Sequence, residues 1–315
     1  MRQVELDEEQ EYVVNSEESM VVVSGPGSGK TRILTEKARR VFNSGESVLC
    51  LTFTKSAARE MASRVPGLPA TTIHSFCCGV VGWKVPPKGS NEDGYPYLLH
   101  RFLWEEDKPK FSYVLLDEAQ DTNELEFDVV LSLVEDKLFA VGDPYQSIYG
   151  FQGAMGPKVV MWLKKMGCEE VELHNNYRSC PRVVNRLNRL FNRKLVSTGI
   201  KNNNLTAILC RTNDDVFSVS SFLKDNNIPH RLRLSAEQSD SKEYDVLGES
   251  NLRVNTVHQS KGLEYNHVAL FDWFPDGHDE EETRIYYVAI ARASRTFTEV
   301  SSLDELRSFL NGIND

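Results

Sequence analysis

The chain has 315 residues, and 40% of them are apolar, which is enough for two hydrophobic cores. Its formal charge of −10 argues against a protein coated with nucleic acid, although net charge does not exclude a local basic groove. The acidic amino terminus argues against a secretory signal, and no apolar run is long enough to span a membrane. The six cysteines lack the spacing of a metal site, so we expect reduced thiols in a cytoplasmic protein without a membrane partner.

Apolar, β-branched runs alternate with helical patterns along the chain, which predicts an α/β fold with parallel sheets flanked by helices. A second series of such elements after residue 166 predicts a domain boundary near residue 170. Arginines at helical spacing in residues 182–193 predict a helix with a solvated basic face, and the low-propensity stretch at residues 86–94 predicts a surface excursion. Nine strands are predicted, at residues 20–24, 48–52, 113–117, 137–141, 171–174, 206–211, 253–257, 267–271 and 295–299.

An apolar strand, a glycine-rich turn and a helix follow one another in the sequence VVVSGPGSGKT at residues 21–31. The glycines allow several backbone N–H groups to converge on a triphosphate at the positive end of the helix. Lys30 is expected to reach the outer phosphates, and the hydroxyl of Thr31 to hold Mg²⁺. Ser24 replaces a glycine of the full pattern, and an ordinary glycine-rich turn is the alternative. The other predicted nucleotide-binding residues of this segment are Gly25, Gly27, Ser28, Gly29 and Arg32.

Two adjacent carboxylates, Asp117 and Glu118, close the predicted strand at residues 113–117. Side chains at this position emerge at the carboxyl edge of a parallel sheet, which is also the edge that carries the phosphate loop. We expect Asp117 to hold Mg²⁺ and Glu118 to orient and deprotonate a water aimed at the γ-phosphate. The alternative is an acidic helix terminus. The occurrence of the acidic pair together with the phosphate loop favours ATP hydrolysis over passive nucleotide binding.

Besides the phosphate loop and the acidic pair, further segments of the chain resemble the motifs of superfamily 1 helicases of the UvrD/Rep type. They occur in the order typical of that family. The resemblance implies a P-loop NTPase of two tandem RecA-like domains, at residues 1–170 and 171–315, with a small insertion at about residues 78–113. The matching segments are LDEEQ at 6–10 (Q motif), LTFTKSAA at 51–58 (Ia), TTIHSF at 71–76 (Ib), GDPYQSIYGFQGA at 142–154 (III), NNYRS at 175–179 (IV), TVHQSKGLE at 256–264 (V) and YVAIARA at 287–293 (VI).

The resemblance also implies roles for residues at the nucleotide. Gln10 would read the adenine edge with its amide, and Tyr177 would stack on the adenine ring. Gln146 would sense the γ-phosphate, which Arg178 would also reach from the second domain. Arg292 would act as the arginine finger, so that hydrolysis reports domain closure.

A path for single-stranded DNA is implied by the same family motifs. Glu264 would couple the nucleotide to DNA held through His258. Stacking of bases on aromatic rings contributes about 1–3 kcal/mol per base without sequence preference, so it can replace part of the positive charge that this acidic chain lacks. The rings could instead belong to the core. The predicted DNA-binding residues are Phe53, Lys55, His74, Tyr149, Phe151, His258 and Lys261.

Three positions depart from the family pattern. The chain has Lys55-Ser56 where the family has Asn-Lys, Gln152 where it has arginine, and Ala291 where it has threonine. The first two positions lie on the DNA side, and the third removes a hydroxyl beside Arg292. None of them belongs to the group formed by Lys30, Asp117 and Glu118.

The resemblance implies an ATP-dependent, Mg²⁺-dependent translocase on single-stranded DNA and at junctions with duplex DNA, moving from 3′ to 5′ and separating strands. One alternative is a DNA-stimulated ATPase or motor subunit of a repair or nuclease complex that does not unwind alone. The other alternative is an ATP-gated DNA-binding regulatory module that hydrolyses slowly. The presence of all the residues expected for hydrolysis argues against this last possibility: Lys30, Asp117, Glu118, Arg178 and Arg292.

Little chain length remains for the accessory subdomains that UvrD/Rep relatives carry. We therefore expect a compact translocase whose unwinding is short-ranged and improves with self-association or a protein partner. Some aromatic residues of the insertion either pack in the core or build a small wedge, and these are Trp83, Tyr95, Tyr97, Phe102 and Trp104.

Overall fold

The computed structural model describes residues 5–83, 94–234, 242–275 and 277–314, and its contacts divide the chain into two compact units. The first unit contains the residues up to Ser24 and Gly29–Leu173. The second unit contains Gly25–Ser28 and the residues from His174 onward. Each unit is built around one six-stranded sheet.

The first unit is a parallel sheet with helices on its faces. Its strands are β1 (Met20–Ser24), β2 (Val48–Thr52), β3 (Ala70–Thr72), β4 (Phe111–Leu116), β5 (Val134–Gly142) and β6 (Glu169–Leu173). Its helices are α1 (Glu8–Asn15), α2 (Lys30–Asn43), α3 (Lys55–Arg64), α4 (Ile73–Val81), α5 (Gly94–Trp104), α6 (Glu124–Leu133) and α7 (Lys158–Lys165). The strand order is β3-β2-β4-β5-β1-β6, and every pairing is parallel.

Hydrophobic cores cover both faces of this sheet, because successive residues of a strand point to opposite faces. Val21 and Leu49 belong to one core, which also contains Phe102 and Phe127. Their neighbours along the strands, such as Val22, belong to the other core, which is closed by side chains of α1 and α2. Sheets buried on both faces have nearly continuous apolar strands, which explains why β1, β2 and β4 were predictable from the sequence.

The second unit has the same α/β character. Its strands are β7 (Asn175–Asn176), β8 (Val196–Ser197), β9 (Thr206–Cys210), β10 (His230–Leu234), β11 (Lys242–Val246), β12 (Leu252–Thr256), β13 (Tyr265–Phe271) and β14 (Ala293–Val300). Its helices are α8 (Pro181–Phe191), α9 (Asn213–Asp225), α10 (Val257–Ser260), α11 (Glu280–Ala291) and α12 (Leu303–Asn314). The main sheet has the order β11-β10-β12-β9-β13-β14, in which β11 alone is antiparallel to its neighbour; β7 and β8 form a separate pair.

The predicted α/β fold class is confirmed, and each of the nine predicted strands overlaps an observed one. The strands that the sequence pattern missed are β3, β7 and β8, which have two or three residues, and the edge pair β10 and β11. Charged residues alternate through β10 and β11, which is common at exposed sheet edges but hides the apolar signal of a strand. Of the predicted surface excursion, residues 86–93 lie outside the described residues, and Gly94 begins α5.

The helices in the described ranges are amphipathic or short, and none of them has the length and apolar character needed to cross a membrane. The predicted basic helix at residues 182–193 is α8, but its arginines do not form one solvated face as expected. Arg193 lies beyond the end of α8 and is only 6% exposed, whereas Leu190 is 46% exposed. The helix ends at Phe191 and its C-cap, Asn192, has a positive φ, so the helical pattern does not extend to Arg193.

Candidate functional site

Residues 25–29 connect β1 to α2 and form the predicted phosphate loop. All five residues of β1 are buried, and α2 begins at Lys30. Gly27 and Gly29 have φ angles of 70° and 87°, which L side chains rarely adopt. Gly29 is the N-cap of α2, so the loop leads directly to the helix N–H groups that have no partner within the helix. Together with the positive end of the helix dipole, these groups form a site suited to an anion.

The side chains of this segment are distributed around the loop. Ser28 is buried, and its hydroxyl donates to the carbonyl oxygen of Gly25 at 2.8 Å, which closes the loop. Thr31 is exposed on the first turn of α2, and Arg32 beside it is partly exposed. Both side chains are therefore accessible to a nucleotide or metal ion at the amino end of α2.

Asp117 and Glu118 directly follow β4, which lies two strands away from β1 in the sheet. The Lys30 ammonium lies 3.4 Å from Glu118 Oε2, so the loop lysine and this carboxylate form an ion pair. The Glu118 N–H donates to Asp117 Oδ1 at 3.0 Å, and Glu118 has a φ of 50°, an uncommon conformation for a residue with a side chain. The three side chains predicted to act at the phosphates thus lie together at the carboxyl edge of the sheet.

The electrostatics of this group favour a bound cation. Burial and the negative charge of Glu118 raise the pKa of Asp117 to about 7, while Lys30 acts in the opposite direction. A divalent cation would keep Asp117 ionised, and carboxylate and hydroxyl oxygens such as those of Asp117 and Thr31 are ligands that Mg²⁺ accepts. Within the described part of the chain, no cluster of three or more acidic, histidine or cysteine side chains could hold a metal ion alone. Mg²⁺ would therefore need water and phosphate oxygens to complete its coordination.

Gln120 connects the acidic pair to the motif III segment, and sequence reasoning did not single it out. Its Nε2 donates to Glu118 Oε2 at 2.7 Å, and its Oε1 accepts from the N–H of Asp143 at 2.9 Å. Asp143 Oδ2 in turn accepts from Gln146 Nε2 at 2.9 Å. A side chain at Gly142 would collide with Gln120, so a glycine at the end of β5 is the sequence signal that accompanies this network.

Gln10 lies next to the amino end of α2. It is 1% exposed, and it forms a capping box with Asp7 at the start of α1. The Gln10 Nε2 lies 2.9 Å from the position that a Cβ atom on Gly29 would occupy. The predicted adenine-reading amide is therefore in contact with the turn that begins α2.

In the second unit, Arg178 and Glu264 form an ion pair. Arg178 Nη2 lies 2.5 Å from Glu264 Oε1, and Lys201 Nζ lies 2.6 Å from the other carboxylate oxygen. Burial favours the protonated form of Glu264, but the charges of Arg178 and Lys201 outweigh it and lower its pKa. Arg178 Nη1 also donates to the carbonyl oxygen of Ala291 at 3.3 Å. Lys201 belongs to no motif in the sequence, and only the fold shows that it is part of this cluster.

Arg292 lies at the end of α11 and is 2% exposed. Its Nε donates to the carbonyl oxygen of Val288 at 3.3 Å, and its Nη1 donates to that of Leu263 at 3.1 Å. The guanidinium is therefore anchored to backbone carbonyl groups of the second unit. Tyr177, on the neighbouring motif IV segment, is 38% exposed, so its ring is accessible for stacking.

Three aromatic rings of the predicted DNA path lie together in the first unit. Phe53 and Tyr149 stack with ring centroids 5.3 Å apart, and Phe151 meets Tyr149 edge-on at 6.1 Å. Phe151 is 67% exposed and Phe53 is 38% exposed. The structure therefore places Phe53 and Phe151 at the surface, as base stacking requires, whereas Tyr149 is partly buried.

The predicted phosphate contacts are more dispersed. Lys55 is exposed at the first position of α3. Burial lowers the pKa of His74, which lies against Tyr95 and 3.5 Å from Glu126, so at neutral pH it contributes a neutral donor and not a positive charge. His258 and Lys261 lie within and just after the short helix α10 of the second unit, and both are partly exposed.

The aromatic residues of the insertion divide between core and surface. Phe102 is fully buried, and Trp83 packs against the same core. Tyr95, Tyr97 and Trp104 are 40%, 48% and 75% exposed. Core packing is therefore correct for the first pair and wrong for the other three. Tyr97 and Trp104 lie on the face of α5 opposite its buried residues, and Tyr95 lies against His74.

Family models match both parts of the chain. An AAA domain matches residues 9–152, and a UvrD-like helicase C-terminal domain matches residues 232–298. Together the two ranges cover more than half of the chain.

Curated relatives and solved structures agree with these models. DNA helicase II of Haemophilus influenzae is 34% identical over 97 residues, which is 30% of this chain and 13% of that protein. ATP-dependent DNA helicase PcrA of Staphylococcus aureus is 24% identical over 285 residues, covering 58% of this chain and 39% of that protein. The chain thus matches well under half the length of these relatives.

This chain also resembles a solved structure, described as the structural basis for DNA unwinding at forked dsDNA by two coordinating Pif1 helicases. The TM-score is 0.54 at 15% sequence identity. The similarity covers 99% of this chain and 98% of that chain and supports the RecA-like fold of a P-loop NTPase. With the family models and the curated relatives, the motif set identifies this chain as belonging to the UvrD/Rep-like family of superfamily 1 helicases.

Proposed function

We propose that this protein is an ATP-dependent DNA helicase that translocates along single-stranded DNA from 3′ to 5′. The observation that carries the proposal is the grouping of Lys30, Asp117 and Glu118 at one sheet edge of the first unit. This group contains a cation for the phosphates, a buried carboxylate for a metal ion, and a second carboxylate for water. The names of DNA helicase II and PcrA describe DNA helicases, and we extend that activity to this chain.

The proposed domain arrangement follows the motif order. Residues 1–170 and 171–315 form two RecA-like domains, with a small insertion at about residues 78–113, and ATP binds between them. The match of a UvrD-like helicase C-terminal domain to residues 232–298 supports a separate second motor domain.

The phosphate loop and the side chains of the first unit supply the groups that bind and hydrolyse ATP. The loop N–H groups and Lys30 bind the phosphates, and Asp117 with Thr31 holds Mg²⁺, which would neutralise charge developing on the transferred phosphoryl group. Glu118 accepts a proton from the attacking water. Its contact with Gln120 at 2.7 Å orients the carboxylate, and the chain of hydrogen bonds through Asp143 leads to Gln146, which senses the γ-phosphate.

The second unit supplies the cations that make hydrolysis depend on domain closure. Arg178 reaches the γ-phosphate, Arg292 acts as the arginine finger, and Tyr177 stacks on adenine. In the structure Arg178 is paired with Glu264, which also binds Lys201. When Arg178 moves to the phosphate, Lys201 remains as the counter-ion of Glu264, so the partly buried carboxylate is not left unpaired.

DNA binding rests on stacking more than on charge. The exposed rings of Phe53 and Phe151 and the partly exposed ring of Tyr149 accept unpaired bases. The backbone contacts come from Lys55, His74, His258 and Lys261. Such a path recognises single strands without sequence preference. It also suits junctions between single-stranded and duplex DNA, where unpaired bases are available.

The test is an unwinding assay on forked DNA with either a 3′ or a 5′ single-stranded tail, performed with ATP and Mg²⁺. We expect unwinding of the 3′-tailed substrate, and none with Glu118→Gln. Unwinding only from the 5′ tail would refute the polarity. DNA-stimulated hydrolysis without strand separation would instead support a motor subunit that needs a partner, and DNA binding with only slow, DNA-independent hydrolysis would support a regulatory module.

A further inference from the structure

Lys37 is a buried lysine on α2, two helical turns after Lys30. It is 2% exposed, and its ammonium lies 5.7 Å from the centre of the Tyr113 ring and 5.5 Å from that of Phe139. Burial, and to a smaller degree the charge of Arg40, lowers the pKa of Lys37 to about 8. Burying an ammonium is unfavourable unless specific partners compensate it, so its partners indicate why a lysine occupies this position.

The hydrogen-bond partners of Lys37 are at the carboxyl end of α1. Its Nζ donates to the carbonyl oxygen of Ser16, the C-cap of α1, and lies 3.5 Å from that of Val14. Carbonyl groups in the last turn of a helix have no partner within the helix, and a cation there also complements the helix dipole. Helix α1 has no basic residue in its own last turn, so Lys37 of α2 supplies this charge.

The other end of α1 carries Gln10. The side-chain Nε2 of Gln10 lies against Gly29, at the start of α2, and its backbone N–H is capped by Asp7. The two helices are therefore in contact near both ends of α1, through Gln10 with Gly29 and through Ser16 with Lys37. A helix of eight residues is not stable alone, so its position depends on such contacts and on the packing of Val13 and Val14.

We propose that Lys37 is a positioning residue for nucleobase recognition: by holding the carboxyl end of α1 on α2, it keeps the Gln10 amide beside Gly29, where it selects adenine over guanine. This inference rests on the proposed ATP site. It adds a specificity determinant that lies outside the helicase motifs and does not itself touch the nucleotide.

The test compares Lys37→Met, which keeps the apolar stem and removes the donors, with Asn15→Ala. Asn15 links the same helix end to Arg40 through an exposed contact, so its loss is a matched control. We expect Lys37→Met to lower the ratio of kcat/KM for ATP to kcat/KM for GTP by about 2- to 10-fold, which corresponds to loss of one neutral hydrogen bond from the Gln10 amide to adenine. The change should come from a higher KM for ATP, with kcat unchanged. Amide exchange of residues 10–15 should become faster. Asn15→Ala should leave the ratio unchanged.

A double variant with Gln10→Ala separates positioning from general stability. If Lys37 acts through Gln10, Lys37→Met has no further effect on the ATP to GTP ratio once Gln10 is removed. Equal losses for ATP and GTP, with an unchanged ratio, would overturn the proposal. Lys37→Gln, which keeps a neutral donor, is measured in parallel in case the methionine variant does not fold. It should give a smaller loss of selectivity. An unchanged ratio of kcat/KM for ATP over GTP in a folded variant overturns the proposal.

Failure of this inference is distinguishable from failure of the proposed function. If the wild-type protein hydrolyses neither ATP nor GTP, the proposed function fails. Equilibrium binding of ATP and GTP and the amide exchange of residues 10–15 still decide whether Lys37 positions Gln10.

Discussion

Replacing Glu118 with glutamine tests the catalytic assignment most directly, because the change preserves the size and removes only the charge. The glutamine amide oxygen still accepts the hydrogen bond from Gln120, which joins Glu118 Oε2 at 2.7 Å. The left-handed backbone at this residue, with a φ of 50°, is equally uncommon for both side chains, so stability should change little. The expected effect is therefore slower ATP hydrolysis, caused by loss of the general base.

The expected changes in turnover and in nucleotide binding follow from two properties of Glu118, its action as a base and its negative charge. Loss of a positioned base lowers turnover by about 10²- to 10⁴-fold, or about 3–5 kcal/mol in activation free energy. Nucleotide binding should not weaken, since the Glu118 charge is one of the causes that raise the pKa of Asp117 to about 7. Without this charge the pKa of Asp117 falls, and more of the carboxylate is ionised to hold Mg²⁺ at neutral pH.

The assay measures DNA-stimulated ATP hydrolysis and, separately, equilibrium binding of ATP with Mg²⁺. Lys30→Ala is the matched contrast, because it removes the cation that is proposed to contact the phosphates and should therefore weaken ATP binding itself. The assignment of Glu118 as the base would be refuted by a Glu118→Gln variant that binds ATP and hydrolyses it at the wild-type rate.

Three other predictions follow from the second unit, the aromatic path and the small insertion. Arg178→Ala should retain ATP affinity but lower turnover by about 10³- to 10⁵-fold, as loss of an arginine finger does, and normal DNA-stimulated turnover would contradict its role. Phe151→Ala should weaken single-strand binding by about 1–3 kcal/mol in anisotropy titrations, with an unchanged salt slope because the 67% exposed ring makes no phosphate contact. An altered slope with unchanged affinity at low salt would exclude stacking. In single-turnover unwinding with a protein trap, monomers should open only short duplexes, and several copies on one tail should open longer ones; sustained opening of long duplexes by monomers would contradict this.

Features that depend on short stretches of chain were predictable from the sequence. The phosphate loop requires a buried strand, a turn with positive φ angles and a helix start, and all three are contiguous at residues 20–31. The same holds for β4 and the acidic pair that follows it. The apolar strands of the two sheets were predictable because burial on both faces requires nearly continuous apolar residues. The edge pair β10 and β11 was missed because solvent on one side permits charged residues.

The sequence also determined the family, since motif spacing along the chain carries that information. The tertiary structure decided which residues surround the motif residues, because those partners are far apart in sequence. Gln120 contacts both Glu118 and the N–H of Asp143, which is 23 residues away, and Lys201 shares Glu264 with Arg178.

Burial of polar groups was likewise decided by the fold. The helical pattern of α2 does not indicate that Lys37 is 2% exposed, since a lysine in an amphipathic helix is ordinarily solvated. This position suits a buried cation only because α1 packs on α2 and presents carbonyl groups that have no hydrogen-bond partner within α1 itself. The exposure of Trp104 has the converse cause: α5 has one face on the core, so an aromatic residue on its opposite face remains in solvent however apolar it is.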